Sequence, residues 1–530
     1  MADLGAGKKM ASTLQTSLAS QLPDYLMKQR WFGGKARKIA SVDVVDTLSI
    51  PAGGANAYLF VAVVHYTEGA DEIYAIPMVR AEGAGADGLK VPGPADGGSM
   101  MLADGLKNAA FLTALAELIE KGTAIAGENG ELRGLQTTAF AKLSPEPVSG
   151  LTPKPVGAEQ SNTSIIYGNR LILKFFRRIQ EGINPDLEIG QFLTEKTTLK
   201  SVPPLAGTIE YQAKNGKPMA QGMLQKFVPN QGDAWGFTLR SLANYYDVVR
   251  KTASAGGIAA TGVVASGKQA EGVPDFARIS VETYLTAAEL LGQRTAEIHL
   301  ALASDVSDPA FAPEPFTMES QQALEQSVSS LLVRVFSLLR DKMKYLPTEW
   351  RGKAEKLAER ESEIAARFNT ALREPIRAMR TRIHGDYHLG QVLRTETDFV
   401  IIDFEGEPAR SIAERRVKRS PLQDVAGMLR SFHYAAFAPL LGEDRVQGDD
   451  VARMGVWAEA WNSSVAERYL AKYFATANGA SYLPTTRDEI QTVLELHLLE
   501  KAIYELGYEL NNRPTWVGIP LQGIGKLLST

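Results

Sequence analysis

The period of the hydrophobic pattern changes once along the chain, and this change limits the fold more than any other feature. Up to about residue 230, short apolar or alternating segments stand between Gly, Asn and Asp turn residues, as is typical of β-strands. From about residue 280, apolar residues recur with the spacing of amphipathic helices. Strands that come first and helices that follow predict an α+β fold.

The β-rich part divides further by composition. A helix at 14–30 precedes apolar strands, which predicts a small mixed domain over residues 1–90. Residues 83–98 are rich in Gly, Pro, Ala and Asp and predict a linker. A second β-rich part follows over 91–230, and a helical part over 231–530. The strands predicted for the first domain are Val42–Ile50, Ala57–His65 and Glu72–Val79.

A hairpin is predicted in the second β-rich part. Its strands are Ser164–Tyr167 and Leu171–Phe176, with Gly168 and Asn169 as the turn. Asn184-Pro185-Asp186 then opens a helix, in which Asp186 suits the positive end of the helix dipole. Two further elements are predicted earlier in this part, a helix at 106–120 and a strand at 133–143.

Charge and composition exclude several classes of protein. The net charge of −4 in 530 residues argues against a nucleic-acid-binding surface. The sequence has no cysteine, so disulfides, thiolate metal sites and cysteine nucleophiles are excluded. No window approaches the roughly 18 uninterrupted apolar residues of a membrane helix. The N-terminus lacks the apolar core of a signal peptide. We therefore expect a cytoplasmic protein without a membrane partner.

The segment HGDYHLGQVLRTETDFVIIDFEGEP, residues 384–408, places acids at both ends of a short apolar hairpin. Pairing of its two arms brings Asp386 and Asp403 towards the same open end. Two close carboxylates repel each other unless a cation lies between them. A hard divalent cation fits oxygen ligands from Asp403, Gln391 and Glu405.

This spacing resembles the catalytic core of the protein-kinase-like phosphotransferases, in which H-x-D is followed by an Asn and then by D-F-G. Gln391 stands at the Asn position and Asp403-Phe404-Glu405 at the third, and both changes keep an oxygen ligand. H-G-D points to the small-molecule branch, with the aminoglycoside and choline kinases. The resemblance implies a bilobal kinase-like fold that uses ATP and Mg²⁺, with Asp386 as the catalytic residue.

The same resemblance assigns the ATP-binding residues. Lys174, on a strand where a lysine is costly unless paired, would contact the phosphates, with Ser164 in the preceding segment. Its acidic partner would be Glu188 on the following helix, with Glu195 in reserve. Gln225 to Phe227 would offer backbone groups to adenine. Structural roles without function remain as alternatives for two of these residues. Lys174 could protect an edge strand, and Glu188 could be a solvent-exposed acid of its helix.

Four further segments are similar to the bacterial maltokinase family. They are QRWFGGKAR near the N-terminus, LGQRTAEIHLALA at 291–303, and the longer stretches at 404–436 and 500–524. The family implies an N-terminal β-rich cap domain, an intermediate subdomain in the small lobe and a mostly helical C-lobe. It also implies ATP-dependent phosphorylation of maltose at its anomeric hydroxyl, in the route from trehalose to glycogen and other α-glucans. Family members can associate with trehalose synthase, which is therefore an expected partner.

A sugar site is predicted near the C-terminus. Lys501, Tyr504 and Tyr508 fall on one helix face, and Glu505 is one turn from Lys501. Rings beside charged groups suit a polyhydroxylated ligand, although plain core packing is the alternative. The resemblance makes this helix part of the disaccharide pocket, with Arg513 at its edge. His384 is assigned to the substrate side as a hydrogen-bonding residue, and Asp424 resembles the acid that braces the catalytic loop.

Two other functions fit the same sequence. A glucosamine kinase shares the scaffold, and Glu505 or Glu509 could bind the amino group. A non-catalytic partner of trehalose synthase is the second, although intact Lys174, Asp386 and Asp403 argue against it. The Ala/Gly-rich segment at 252–275 predicts an insert of unassigned role.

Overall fold

The computed structural model describes residues 2–53, 55–81, 88–92, 99–157, 162–254, 275–441 and 449–529. Nearly all of the predicted insert at 252–275 lies outside these residues. The chain divides into two compact units. The first comprises Met1–Pro229 with Arg410–Glu414, and the second comprises Asn230–Ala409 with Arg415–Thr530. Within the described ranges, no helix combines the length and apolar character needed to cross a bilayer.

Seventeen strands and fourteen α-helices make up the described chain. The strands are β1 (Ile39–Ala52), β2 (Ala55–Tyr66), β3 (Glu72–Ala81), β4 (Gly88–Pro92), β5 (Ser99–Asp104), β6 (Ala124–Ala126), β7 (Gly130–Gln136), β8 (Pro153–Pro155), β9 (Asn162–Tyr167), β10 (Leu171–Phe176), β11 (Arg178–Ile179), β12 (Leu205–Ala213), β13 (Pro218–Lys226), β14 (Glu314–Pro315), β15 (Met379–Arg380), β16 (Val392–Arg394) and β17 (Phe399–Ile401). The helices are α1 (Ala2–Lys28), α2 (Ala109–Lys121), α3 (Phe140–Leu143), α4 (Pro185–Lys196), α5 (Ala234–Ser254), α6 (Asp275–Leu302), α7 (Met318–Lys342), α8 (Thr348–Ala358), α9 (Glu361–Ala371), α10 (Ile412–Arg415), α11 (Leu422–Leu441), α12 (Asp449–Thr476), α13 (Arg487–Asn512) and α14 (Gly518–Leu527).

Two antiparallel sheets form the first unit. The first has the order β1-β2-β3-β5-β4, and β11 also pairs with β3. The second has the order β6-β7-β12-β13-β10-β9-β8. Because β11 directly follows β10, the chain passes from the second sheet into the first within two residues. The two sheets are therefore joined by backbone pairing as well as by packing.

The first sheet is buried on both faces. Along β2, Phe60 and Ala62 belong to one core, which includes Leu18 and Leu22 of α1. Leu59 and Val61, which alternate with them, belong to a second core. That second core also contains apolar residues of α2 and of the second sheet, among them Phe111, Leu115, Leu173 and Phe175. The predicted domains 1–90 and 91–230 thus share one continuous core.

The predicted hairpin is confirmed in its turn and in the limits of β10, while β9 begins two residues earlier than predicted, at Asn162. β9 and β10 pair antiparallel, with Tyr167 opposite Leu171 and Ser164 opposite Lys174. Gly168 and Asn169 have positive φ angles of 55° and 54°. Two consecutive residues with positive φ are what a type I′ hairpin turn requires, and Gly and Asn adopt this conformation most readily.

Helices dominate the second unit. α11 lies at its centre, and most of its residues, including both Asp424 and Arg430, are buried. α5, α12, α13 and α14 pack against α11, and α6 packs against α12. The small β16–β17 hairpin is set among these helices, with Val392 opposite Ile401. Arg294 on α6 donates two 2.8 Å hydrogen bonds to the carboxylate of Asp398, which lies in the turn of this hairpin.

Two predicted elements are wrong. The segment predicted as a linker contains β4, which pairs with β5, because its apolar residues Leu89 and Val91 are buried. The strand predicted at 133–143 ends at Gln136 and gives way to α3. The charged segment at 352–373 forms two helices, α8 and α9, which are separated at Glu359 and Arg360.

The shared core predicts that the cap sheet contributes strongly to stability. Leu59 is fully buried, so Leu59→Ala should lower the free energy of unfolding by about 2–5 kcal/mol. Leu135→Ala is the matched control, because Leu135 is 44% exposed and should change it by less than about 0.5 kcal/mol. Urea unfolding measures both. Equal effects would contradict the continuous core.

Candidate active site

The loop that carries Asp386 is fixed by the carboxylate of Asp424. Asp424 lies near the start of α11 and is buried. Its Oδ2 accepts a 2.7 Å hydrogen bond from the His384 amide, and its Oδ1 accepts a 2.9 Å bond from the Gly385 amide. Gly385 has a φ of 85°, which favours glycine. The predicted bracing role of Asp424 is confirmed.

A buried histidine supports Asp424 from the other side. His299 Nε2 lies 3.2 Å from Asp424 Oδ2, and its Nδ1 lies 2.9 Å from the Tyr473 hydroxyl. Burial works against the charged carboxylate, but the hydrogen bonds from His299 and Gly385 hold the pKa of Asp424 below its ordinary value. The sequence predicted no role for His299. Its only sequence signal was a histidine among apolar helix positions.

His384 faces backbone atoms and is 3% exposed. Its Nε2 lies 2.9 Å from the carbonyl oxygen of Ile402, just before Asp403. Its Nδ1 accepts a long 3.4 Å hydrogen bond from the Asp386 amide. The ring also packs on Phe404, with 4.8 Å between centroids. These contacts connect the loop to the hairpin, and they favour a bracing role over the substrate contact predicted for His384.

Helix α11 approaches this loop closely at Gly427. A Cβ atom placed on Gly427 would lie 2.6 Å from the Tyr387 carbonyl oxygen. That distance is shorter than any van der Waals contact, so a larger residue would push the helix away from the loop. Glycine at this position therefore lets the helix bring Asp424 within hydrogen-bonding distance of the loop.

Gln391 and Asp403 meet at the open end of the hairpin. Gln391 Nε2 donates a 2.7 Å hydrogen bond to Asp403 Oδ2, so the amide nitrogen, not the oxygen, faces the carboxylate. Asp403 has a φ of 70°, a conformation that non-glycine residues rarely adopt outside functional sites. Carboxylate oxygens of Asp403 and Glu405 lie within 4.8 Å of each other. These carboxylate and amide groups are the donor types that Mg²⁺ takes.

Asp386 contacts a lysine and a histidine. Lys501 Nζ lies 3.3 Å from Asp386 Oδ1, and His388 Nε2 lies 3.9 Å from Oδ2. Burial opposes the charge on Lys501, but the nearby Asp386 and Glu505 carboxylates raise the pKa of Lys501 overall. Burial lowers the pKa of His388, and Asp386 and Asp403 both oppose this shift. The sequence prediction brings Lys501 and Asp386 to the same region, and the structure puts them in direct contact.

Two buried acids on α13 pair with arginines. Glu505 Oε2 accepts a 2.8 Å hydrogen bond from Arg430 Nε. Glu509 is 1% exposed, and its two oxygens accept bonds of 2.7 and 3.0 Å from Arg513. Burial raises the pKa of Glu509, and Arg513 counteracts only part of that shift. Each acid on this face is therefore matched by its own base.

Aromatic rings lie beside these pairs. Lys501 Nζ is 5.0 Å from the Tyr504 ring centroid. The Arg513 guanidinium is 4.5 Å from the Trp516 ring and 5.5 Å from the Tyr508 ring. Tyr508 is 47% exposed, so plain core packing does not account for this residue. The predicted set on α13 thus forms one surface of rings and paired charges.

In the first unit, Lys174 pairs with an acid of the following helix. Its Nζ lies 3.3 Å from Asp186 Oδ2, and Asp186 is buried. The sequence assigned Asp186 to the helix N-terminus and chose Glu188 as the partner. Asp186 is therefore one acidic partner of Lys174, and the pairing with Glu188 stays a prediction. The Asp186 amide also donates a 2.8 Å hydrogen bond to the side-chain oxygen of Asn184, which caps the helix.

The other predicted ATP-binding residues also lie in the second sheet. Ser164 is buried and stands opposite Lys174. Gln225 is on β13 opposite Ile172, and Phe227 follows the end of that strand. The Phe227 amide donates a 2.8 Å hydrogen bond to the Arg170 carbonyl. The backbone donor predicted at Phe227 is therefore already used by the fold.

Two regions of the chain, one in each part of this architecture, match known protein families. Residues 25–107 match the maltokinase N-terminal cap domain, and residues 267–474 match the phosphotransferase enzyme family. The fold and the loop geometry therefore define a kinase-like phosphotransferase. The N-terminal part of the chain is thus similar to the cap domain of the maltokinases.

The similar proteins are distant in sequence but alike over most of their length. A glucosamine kinase of Streptacidiphilus jiangxiensis is 22% identical over 459 residues, which is 86% of each chain. A glucosamine kinase of Mycolicibacterium smegmatis is 23% identical and covers 71% of this chain and 79% of its own. A crystal structure of a glucosamine kinase, crystal form B, has a TM-score of 0.63 at 18% identity and covers 97% and 99% of the two chains. The predicted fold class is confirmed.

Replacement of Asp424 tests the brace. Asp424→Asn places an amide group against two backbone donors, which should lower the free energy of unfolding by about 1–3 kcal/mol and reduce turnover. Because the folded-state pKa is lowered, the stabilisation by Asp424 is present above about pH 4 and is lost as the pH falls further. Urea unfolding between pH 3 and 7 should show the two proteins converge in acid. A constant difference at every pH would contradict this role.

Proposed function

We propose that the protein is an ATP-dependent sugar kinase that phosphorylates maltose at its anomeric hydroxyl. The observation that carries the proposal is the contact of Asp386 with Lys501, at 3.3 Å, on a loop held by Asp424. This contact joins a candidate proton acceptor to the helix that presents aromatic rings. The product would be maltose 1-phosphate, an activated donor for glycogen and α-glucan synthesis in the cytoplasm, with trehalose synthase as an expected partner.

In the proposed reaction, Asp386 orients the anomeric hydroxyl and accepts its proton. The sugar oxygen forms a bond to the γ-phosphorus of ATP, and the bond to the β-phosphate oxygen breaks to release ADP. Lys174, held by Asp186, contacts the phosphates. Asp403, Glu405 and the Gln391 amide would hold Mg²⁺, which when bound neutralises phosphate charge. Gln391 would offer its oxygen after rotation of the amide. Catalysis rests on positioning and electrostatics.

The charge pairs on α13 support a neutral sugar. An amino sugar carries an ammonium group, which is bound best by a carboxylate that has no other cation beside it. Glu505 and Glu509, the two acids considered for that role, are paired with Arg430 and Arg513, and Asp386 is paired with Lys501. Hydroxyl groups, in contrast, find both donors and acceptors in such pairs. The exposed ring of Tyr508 and the half-buried ring of Trp516 suit stacking against a sugar face.

A second candidate is phosphorylation of glucosamine. It is favoured by the names of two of the relatives, which are glucosamine kinases, and by the similarity to a glucosamine kinase solved with glucosamine, ADP and inorganic phosphate. The identities of 18–23% leave room for a different acceptor. The two candidates share the phosphotransfer residues and differ at α13.

Replacement of Asp386 tests the catalytic role. Asp386→Asn keeps the shape of the side chain but cannot accept the proton, so turnover should fall by about 10²–10⁴-fold. ATP binding, measured by calorimetry, should change little. Glu396→Gln is the control, because Glu396 is an exposed acid in the turn of the same hairpin and should keep wild-type activity. Wild-type turnover by Asp386→Asn would refute the assignment.

A panel of acceptors separates the candidate functions. ADP release should be fastest with maltose and at least about tenfold slower with glucosamine, glucose or an aminoglycoside, since an unmatched ammonium group or the loss of the second sugar ring costs more than about 1.4 kcal/mol. A preference for glucosamine would replace the lead proposal with the second candidate. Absence of turnover with every sugar, together with a stable complex with trehalose synthase, would instead indicate a non-catalytic partner.

A further inference from the structure

Arg177 is a buried cation that joins the cap to the second sheet. It is 2% exposed and directly follows β10. Its two terminal nitrogens donate to the two oxygens of Asp104, at 3.1 and 2.7 Å. The guanidinium also lies 4.6 Å from the Trp31 ring centroid. Asp104 and Trp31 both belong to the matched cap domain. A buried charge is tolerated when it is paired and hydrogen-bonded in this way.

The remaining nitrogen of Arg177 reaches the neighbouring strand. Nε donates a 3.2 Å hydrogen bond to Thr163 Oγ1 on β9. Thr163 stands opposite Phe175, while the next pair in the register is Ser164 and Lys174. Because side chains alternate between the faces of a sheet, Thr163 lies on the face opposite Ser164 and Lys174. Arg177 therefore supports the hairpin from behind the residues assigned to phosphate.

The main chain makes a second connection at the same place. The Arg177 carbonyl accepts a 2.8 Å hydrogen bond from the Ala75 amide on β3. The next two residues, Arg178 and Ile179, pair with Tyr74 and Ile73 of the cap sheet. The strand that carries Lys174 is thus anchored in the cap three residues later. One strand of the hairpin is held by the backbone and the other by the Arg177 side chain.

We propose that Arg177 is a positioning residue for nucleotide binding, through which the cap domain holds the β9–β10 hairpin in the geometry that ATP needs. The proposal rests on the proposed function for the assignment of Lys174 and Ser164 to the phosphates. A few tenths of an ångström decide how well a lysine and a hydroxyl meet a phosphate. Supporting contacts behind such residues therefore set affinity without contacting the ligand.

The variants are chosen to keep the fold. Thr163→Val removes only the acceptor of Arg177 Nε, and Thr163→Ser restores it. The double variant Asp104→Leu with Arg177→Met replaces the whole buried pair by apolar groups, which avoids an unpaired charge. Asp46→Asn is the matched control. Asp46 is a buried cap acid that accepts hydrogen bonds from the Tyr211 hydroxyl on β12, at 2.8 Å, and from the amides of Thr47 and Glu128, none of which is on β9 or β10.

ATP affinity by calorimetry and the KM for each substrate separate positioning from simple stabilisation. Thr163→Val and the double variant should weaken ATP binding and raise the KM for ATP by about tenfold, with the KM for the sugar unchanged and with Thr163→Ser near wild type. Asp46→Asn should lower the melting temperature and leave the KM for ATP unchanged. Folded variants with wild-type ATP affinity would overturn this inference alone. A wild-type protein that binds no ATP would overturn the proposed function as well.

Discussion

The second unit depends on one buried carboxylate. The Asp424 carboxylate accepts hydrogen bonds of 2.7 and 2.9 Å from the amides of His384 and Gly385. These two residues directly precede Asp386. A loop of this kind has no regular backbone pairing that could fix its shape. Its shape therefore depends on hydrogen bonds from side chains such as Asp424. His299 and Tyr473 extend the support into the helical core. The position of Asp386, and with it the contact to Lys501, follows from this network rather than from the hairpin alone.

Pairing of charge is the second organising rule of this unit. Asp386, Glu505 and Glu509 lie where a solitary charge would be costly, and each contacts a base on the same or a neighbouring element. The pairs limit the net charge beside α13, and the side chains of Asp386, Lys501 and Arg513 stay partly exposed. A surface of this kind suits a ligand with many hydroxyl groups, because each pair offers donors and acceptors in fixed places.

Local sequence patterns predicted local structure well and long-range contacts poorly. The Gly168–Asn169 turn and the strands on either side of it are correct because turn chemistry and alternation act over a few residues. Asp186 fits its helix N-terminus equally well whether or not it also meets Lys174, so the pattern could not reveal the ion pair. The buried strand β4 was hidden by the Gly- and Pro-rich residues around it. Asp104 and Arg177 are separated by 73 residues, and no periodicity connects them.

The continuous core of the first unit constrains how this chain can diverge. Leu59 of the cap and Leu173 of the second sheet belong to the same apolar cluster, so a change of volume on one side must be matched on the other. If caps were exchanged between distant relatives, the apolar residues of the new cap would face a second sheet to which they are not matched. Substitutions on the inner faces of the two sheets are therefore expected to arise as compensating sets, and chimeras should be joined beyond β13 rather than at the end of the cap.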